Sequence, residues 1–187
     1  MCPDPVDLAA APRVLIAEAI EAYGRHATID TCLATLEGML DFDRLPVPLT
    51  FLAGDSAIYQ MERGHLEERV QTHWPRTWGA RGLLYVWEDY AEPVVVAALH
   101  DDHWRVREMA AKVVLHHEVG SAAEALLDLI ADEEPRVQVA AIRASGSVGE
   151  SEHVAALDSL VTRDTKVRVA ASTAVRTLRR RLDLVSS

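Results

Sequence analysis

"HWRVREMAAKVVLHHE", residues 103–118, places small and aliphatic side chains at helical spacing behind a valine. With Val106 as position zero, Ala110 falls at position four, Val113 at seven and Val114 at eight. These positions share one face of a 3.6-residue helix. The arrangement returns in "VQVAAIRASGSV" and "VRVAASTAVRTL", which open on Val137 and Val167, 31 and 30 residues further on. Ala141 and Ala171 stand at position four, Ala144 and Ala174 at seven, Ser145 and Val175 at eight. A period of this length marks a repeat architecture. Each segment is expected to be a helix with one buried stripe lined by small residues.

A second helical run precedes each of these: "EPVVVAALH", "SAAEALLDLIA" and "SEHVAALDSLV". Ser121 and Glu124 have the spacing of a capping box, and Pro135 suits a first helical turn. The unit therefore reads as helix, short turn, helix. One pair cannot bury both of its faces, so neighbours must stack. An earlier unit extends the register, with Trp78 at position zero, Gly82 at four, Tyr85 at seven and Val86 at eight. It stands 28 residues before Val106.

The units resemble HEAT repeats, particularly the short bacterial subgroup also found in phycobilin lyases. The residues that carry the likeness are Asp101 and Asp132, five before the valine, the pairs Val106-Arg107 and Val167-Arg168, and the alanines. Thr162 replaces the aspartate in the third unit, with Asp164 nearby, and Gln138 replaces the arginine in the second. The span from Trp78 to Val114 is also similar to a group of small bacterial HEAT-repeat proteins of unassigned activity. The resemblance covers roughly residues 75–182 and implies an all-α, right-handed α-solenoid (superhelix) of antiparallel helix pairs. First helices would form its convex layer and second helices its concave one. It also implies that the aspartate and arginine link successive turns and do not form a binding site.

The expected organisation is a single domain over 1–187, with HEAT-like repeats at 75–187 and divergent helices and a loop at 1–74 capping the stack. Residues 12–40 read as a helix pair in which Gly24 ends the first member. Ile29, Cys32, Leu33, Leu36 and Leu40 make the stripe of the second. Residues 41–57, with two prolines and a glycine, read as a loop with a short helix. Arg179, Arg180 and Arg181 suit a solvated helix C-terminus.

The 187-residue chain has a formal net charge of −10. Nonspecific affinity for nucleic acid needs many Lys and Arg contacts, so this balance argues against it. The acid is uneven: residues 1–100 hold 15 acidic and 7 basic side chains, and 101–187 hold 14 and 12. Cys2 and Cys32 are too few for a disulfide framework. No export signal is recognised, and no apolar run approaches the ~20 residues that span a bilayer. A reduced, soluble, cytoplasmic protein is expected.

Candidate chemistry is sparse. His117-Glu118 brings to mind the deoxyhypusine hydroxylases, HEAT-like proteins that hold two irons through repeated His-Glu pairs at positions two and three. Here those positions are Glu108-Met109, Val139-Ala140 and Val169-Ala170. His73, His100 and His103, with Asp101 and Asp102, fall near turns without rigid ligand spacing. Trp78, Trp87 and Trp104 near arginines are similar to the aromatic and basic surface of HEAT-like DNA alkylation glycosylases, which supplies the alternative function. Phycobilin lyase activity would require a bilin. No serine nucleophile elbow, phosphate-binding glycine loop or paired CxxC appears. No catalytic residue, metal or cofactor is assigned.

The outward positions of the second helices remain. Position two gives Ala80, Glu108, Val139 and Val169; position six gives Leu84, Lys112, Arg143 and Thr173; position nine gives Trp87, Leu115, Gly146 and Arg176. Leu84, Trp87, Glu108, Lys112, Leu115, Arg143 and Arg176 are therefore the candidate partner-binding residues, grading from apolar and aromatic to basic. In the competing reading the N-terminal helices cover Trp87 and Leu115. The favoured function is a non-catalytic protein–protein interaction module, a scaffold, adaptor or regulatory subunit that takes a partner protein or peptide on its concave face.

Overall fold

The structure is a computed structural model describing residues 4–66 and 71–183. Among these it contains eleven α helices and no strand, as a chain rich in strong helix formers should. It divides into two compact units, Met1–Val94 and Val95–Ser187.

In the first unit α1 (Pro12–Tyr23) starts on a proline whose missing N–H is no loss at that position. It ends at Gly24, where a φ of 89° turns the chain directly into α2 (Arg25–Leu36). Ile29, Cys32 and Leu36 are buried, Leu33 is half-buried, and Leu40 lies beyond the helix. The segment read as a loop with one short helix holds a 3-10 turn at Phe42–Arg44, then α3 (Thr50–Ala53) and the start of α4 (Asp55–Glu62). It belongs to the core: Leu45, Val47, Leu49, Phe51 and Leu52 are all buried. The Val47 amide donates to the Thr31 hydroxyl at 3.0 Å.

Helix α5 (His73–Gly82) packs on α2. Two glycines make this possible. A Cβ on Gly79 would collide with the Cys32 carbonyl oxygen and the Thr35 hydroxyl, and one on Gly82 with the Cys32 sulfur. Thr35 cannot easily turn aside, because its hydroxyl bonds to the Thr31 and Cys32 carbonyls. Burial pushes the Cys32 thiol up to about 12, which leaves it protonated and unreactive. Cys2 lies outside the described residues.

The extrapolated first repeat needs correction here. Trp78, Gly82 and Val86 are buried, but α5 stops at Gly82 and Tyr85 is 41% exposed. After Gly82 the amides of Leu84 and Tyr85 bond three residues back, to Arg81 and Gly82. The tighter winding breaks the register, so Leu84 and Trp87 are not outward positions of a helix.

Helix α6 (Glu92–Ala98) carries the division between the units. The second unit continues with α7 (Trp104–His117), α8 (Ala123–Leu129), α9 (Pro135–Val148), α10 (Ser151–Asp158) and α11 (Thr165–Arg181). Helix α9 packs against both α7 and α11, α8 packs on α9, and α10 packs on α11. The second helices thus lie side by side with first helices behind them, the stacking of an α-solenoid. The stripe residues hold their expected places: Val106, Ala110, Val113, Val114, Val137, Ala141, Ala144, Ser145, Val167, Ala171 and Ala174 are buried, and Val175 is half-buried.

Two helix ends differ from expectation. Ser121 and Glu124 form no capping box, because a 3-10 turn at Gly120–Ala122 leads into α8 and leaves Ala122 at its N-cap. A capping box forms instead at α10, between Glu150 and His153. His153 is fully buried; Nδ1 accepts the Glu150 amide at 3.0 Å and Nε2 lies 2.9 Å from the Ala123 carbonyl. An accepting Nδ1 leaves the proton on Nε2, so a neutral ring ties α10 to the start of α8. No helix among the described residues is long and apolar enough to cross a membrane.

The α2–α5 contact yields a prediction. Gly79→Ala forces a methyl onto a backbone oxygen and should lower unfolding stability by about 1–3 kcal/mol, the usual cost of overpacking. Gly120→Ala, where a Cβ meets nothing within 4 Å, should be near neutral in the same urea titration.

Candidate functional site

Every second helix of the second unit is started by one device. The residue five before the position-zero valine accepts a hydrogen bond from the amide two residues on. Asp101 takes His103 at 2.8 Å, Asp132 takes Glu134 at 2.8 Å, and the Thr162 hydroxyl takes Asp164 at 3.1 Å. The residue so placed then caps the helix. His103 Nδ1 accepts the Arg105 amide and Glu134 the Arg136 amide, while Asp164 accepts the amides of both Lys166 and Val167, at 2.7 and 3.0 Å. Thr162, a departure by residue type, makes the same bond as the aspartates. The Val167 and Lys166 amides hold the Asp164 carboxyl below its ordinary range.

Arg107 joins two turns. Its Nε and Nη2 donate to the Asp132 carboxylate at 2.8 and 3.0 Å, and its Nη1 donates to the Asp101 and Asp102 carbonyls. The two side chains are only 12% and 5% exposed. The hydrogen bonds that Arg107 donates to Asp132 raise its pKa further. This is the turn-to-turn link that the resemblance implies. Gln138 and Thr162 occupy the equivalent places at the next interface, where a carboxamide and a hydroxyl cannot make a bidentate ion pair.

A trough runs along the outward side of the α7, α9, α11 layer. Its larger part, about 890 Å³, lies over α9 and α11, and a smaller part of about 300 Å³ lies between α7 and α9. Leu115, Val139, Arg143 and Lys166 line both, which makes them continuous. Small residues form the floor: a Cβ on Gly146 would lie 3.4 Å from the Ala174 Cα, so two backbones approach closely there. Val169, on the wall, is 60% exposed.

Of the nominated residues, Glu108, Lys112, Leu115 and Arg143 line this trough. Arg176 stands exposed on α11 outside its lining. Glu108 is not the open position the register suggested. It is 7% exposed, because Lys112 and Arg136 close over its carboxylate at 2.8 and 3.3 Å. Leu84 and Trp87 belong to the first unit and are half-buried. The Trp87 carbonyl and the Glu88 carboxylate both accept from Arg25 at 2.8 Å.

The other aromatic and histidine candidates have structural positions. Trp78 is core, 3% exposed and stacked on Trp74. Trp104 is half-buried, with the guanidinium carbons of Arg105 and Arg136 at 4.4 and 5.1 Å from its ring centre. His116 and His117 meet edge to face in the last turn of α7. Glu118 then adopts a left-handed φ of 54° and accepts from the Ser147 hydroxyl. His103 is a helix cap and His100 is exposed. No three His, Cys, Asp or Glu side chains gather as metal ligands among the described residues.

Sequence reasoning missed Arg136 and Lys166. Both stand at position minus one, where Arg105 stands in the first of these repeats, and three basic residues at one register position were a legible signal. Arg179 to Arg181 are more engaged than a solvated cap: Arg179 pairs with Asp158 at 2.6 Å and Arg181 donates to the Gly149 carbonyl.

Residues 91–179 match the family model for HEAT repeats, a likeness in keeping with the stacked helix pairs of the second unit. No curated protein matches the chain.

Two outcomes follow from the turns. Arg107→Lys keeps the charge but loses the fork that spans both turns, and should cost about 2 kcal/mol in chemical denaturation. Asp164 is shifted downwards, so its stabilisation is present above the ordinary aspartate range and is lost as pH falls through the folded value. Asp164→Ala should therefore lower the thermal midpoint at pH 7, and the difference from wild type should shrink below about pH 4.

Proposed function

We propose that this chain is a non-catalytic protein–protein interaction module, a scaffold, adaptor or regulatory subunit, that receives a partner protein or peptide on the second-helix face of its HEAT-like repeats. The observation that carries this reading is the trough: a long hollow with aliphatic walls on a packed helical layer, with Val169 open to solvent. Surfaces of this kind bury apolar side chains of a partner while charged groups at the rim set its orientation. Lys112, Leu115 and Arg143 form the centre of the proposed site, with Val139, Lys166 and Val169 added to it. Glu108 serves by holding Lys112 and Arg136 in place, and Arg176 is kept as a peripheral contributor.

The alternative, a DNA-acting HEAT protein, requires aromatic faces free for base stacking and many free cations. Trp78 is buried and Trp104 is occupied by two arginines, so nothing favours that reading over a protein partner.

Photo-cross-linking tests the proposal. With benzoylphenylalanine at position 143 or 169 and a lysate of the native cell, discrete protein adducts are expected. The same group at Glu124 on α8, an exposed first-helix position, should give none of them. Equal labelling from both faces would remove the reading.

A further inference from the structure

The second unit separates its charges by layer. Of the 12 basic residues after position 94, 11 lie on α7, α9 and α11, while 13 of the 14 acidic residues lie on the turns and first helices or after α11. Glu108 is the one acid in that layer, and it is buried under two cations. A chain of net charge −10 thus presents a strongly basic second-helix layer.

Most of these cations have partners. Arg107 is tied to Asp132, Arg136 to Glu108 and Trp104, Arg105 to Trp104, Lys112 to Glu108, Arg179 to Asp158, and Arg181 to the Gly149 carbonyl. Arg143 and Lys166 differ. Both are exposed and line both parts of the trough, and neither side chain has a hydrogen bond or ion pair among the described residues. Leu115, Val139 and Val169 share the lining of the larger part with them.

We propose that the trough takes an acidic amphipathic peptide segment, whose aliphatic side chains seat on Leu115, Val139 and Val169 while its carboxylates meet Arg143 and Lys166. The inference rests on the protein-binding reading above and adds the chemistry of the partner. The lining runs from Pro135 to Ser147 along α9, about 18 Å at the rise of an α-helix, which matches roughly three turns of a bound helix. Opposite charge across the rim orients such a segment and speeds its encounter. Nucleic acid fits less well, because an aliphatic trough with two unpaired cations offers few phosphate contacts and no stacking face.

The test uses the full chain, immobilised and panned with a random dodecapeptide library. Enriched peptides should be net acidic, with aliphatic residues three or four apart. A synthetic copy of the most enriched peptide should bind at least tenfold more weakly to Arg143→Glu/Lys166→Glu and to Val169→Asp, and more weakly at high salt. It should bind normally to Arg163→Glu, the basic residue outside the layer. All four positions are exposed, and circular dichroism verifies that each variant is folded. Neutral or basic peptides lost on Val169→Asp would overturn the acidic partner and leave the protein-binding reading standing. No enrichment, or enrichment insensitive to the trough variants, would remove both. Two further results would reassign the trough and overturn the inference. One is a twelve-nucleotide single strand that binds there more tightly than the peptide, and the other is self-association abolished by Arg143→Glu/Lys166→Glu.

Discussion

The close approach of neighbouring backbones is the constraint on which the rest of this structure depends. Helices come this near only where side chains are small, and both units meet the requirement with residues placed a helical turn apart. In the first unit Gly79 and Gly82 let α5 lie on α2. In the second, alanines at position four and a small residue at position seven do the same in each repeat, with Gly146 facing Ala174. The packing that fills the interior also leaves a hollow outside: where the contact between α9 and α11 is made by Gly146, Ala170 and Ala174, the larger flanking side chains rise as walls.

The turns then fix how each helix begins. A side-chain oxygen holds the amide of the capping residue, and that residue satisfies an amide of the first turn, which would otherwise lack a partner. This uses up carboxylates at one end of the layer and leaves the helices free to carry cations. The separation of acid from base is therefore partly a result of capping chemistry: Asp101, Asp132, Glu134 and Asp164 stand where helix N-termini favour negative charge.

How much of this was legible in the sequence depended on how local the cause was. The period from Val106 to Val137 to Val167 and its buried stripe are properties of single helices, and they are found where the spacing put them. The tie between Arg107 and Asp132 was legible only through likeness to a family. The register failed at Tyr85, because α5 ends at Gly82 and the chain beyond it tightens to three-residue hydrogen bonds. It misjudged Glu108, because Arg136 reaches over it from the next repeat, and no single-helix pattern shows that. His153 gave no signal at all, since its value lies in a carbonyl 30 residues away.

The unequal links between repeats have a mechanical consequence. In a quasi-one-dimensional stack each unit is held only by its neighbours, so the weakest interface decides where the array first opens. The interface between the second and third repeats lacks the arginine–aspartate rung that joins the first to the second. Fluctuation should therefore concentrate in the α10–α11 pair. That pair carries Lys166 and Val169, one entire wall of the trough, whereas the opposite wall on α7 and α9 is tied by the buried ion pair. The trough thus has a fixed jaw and a compliant one, and its width can adjust to the girth of what enters.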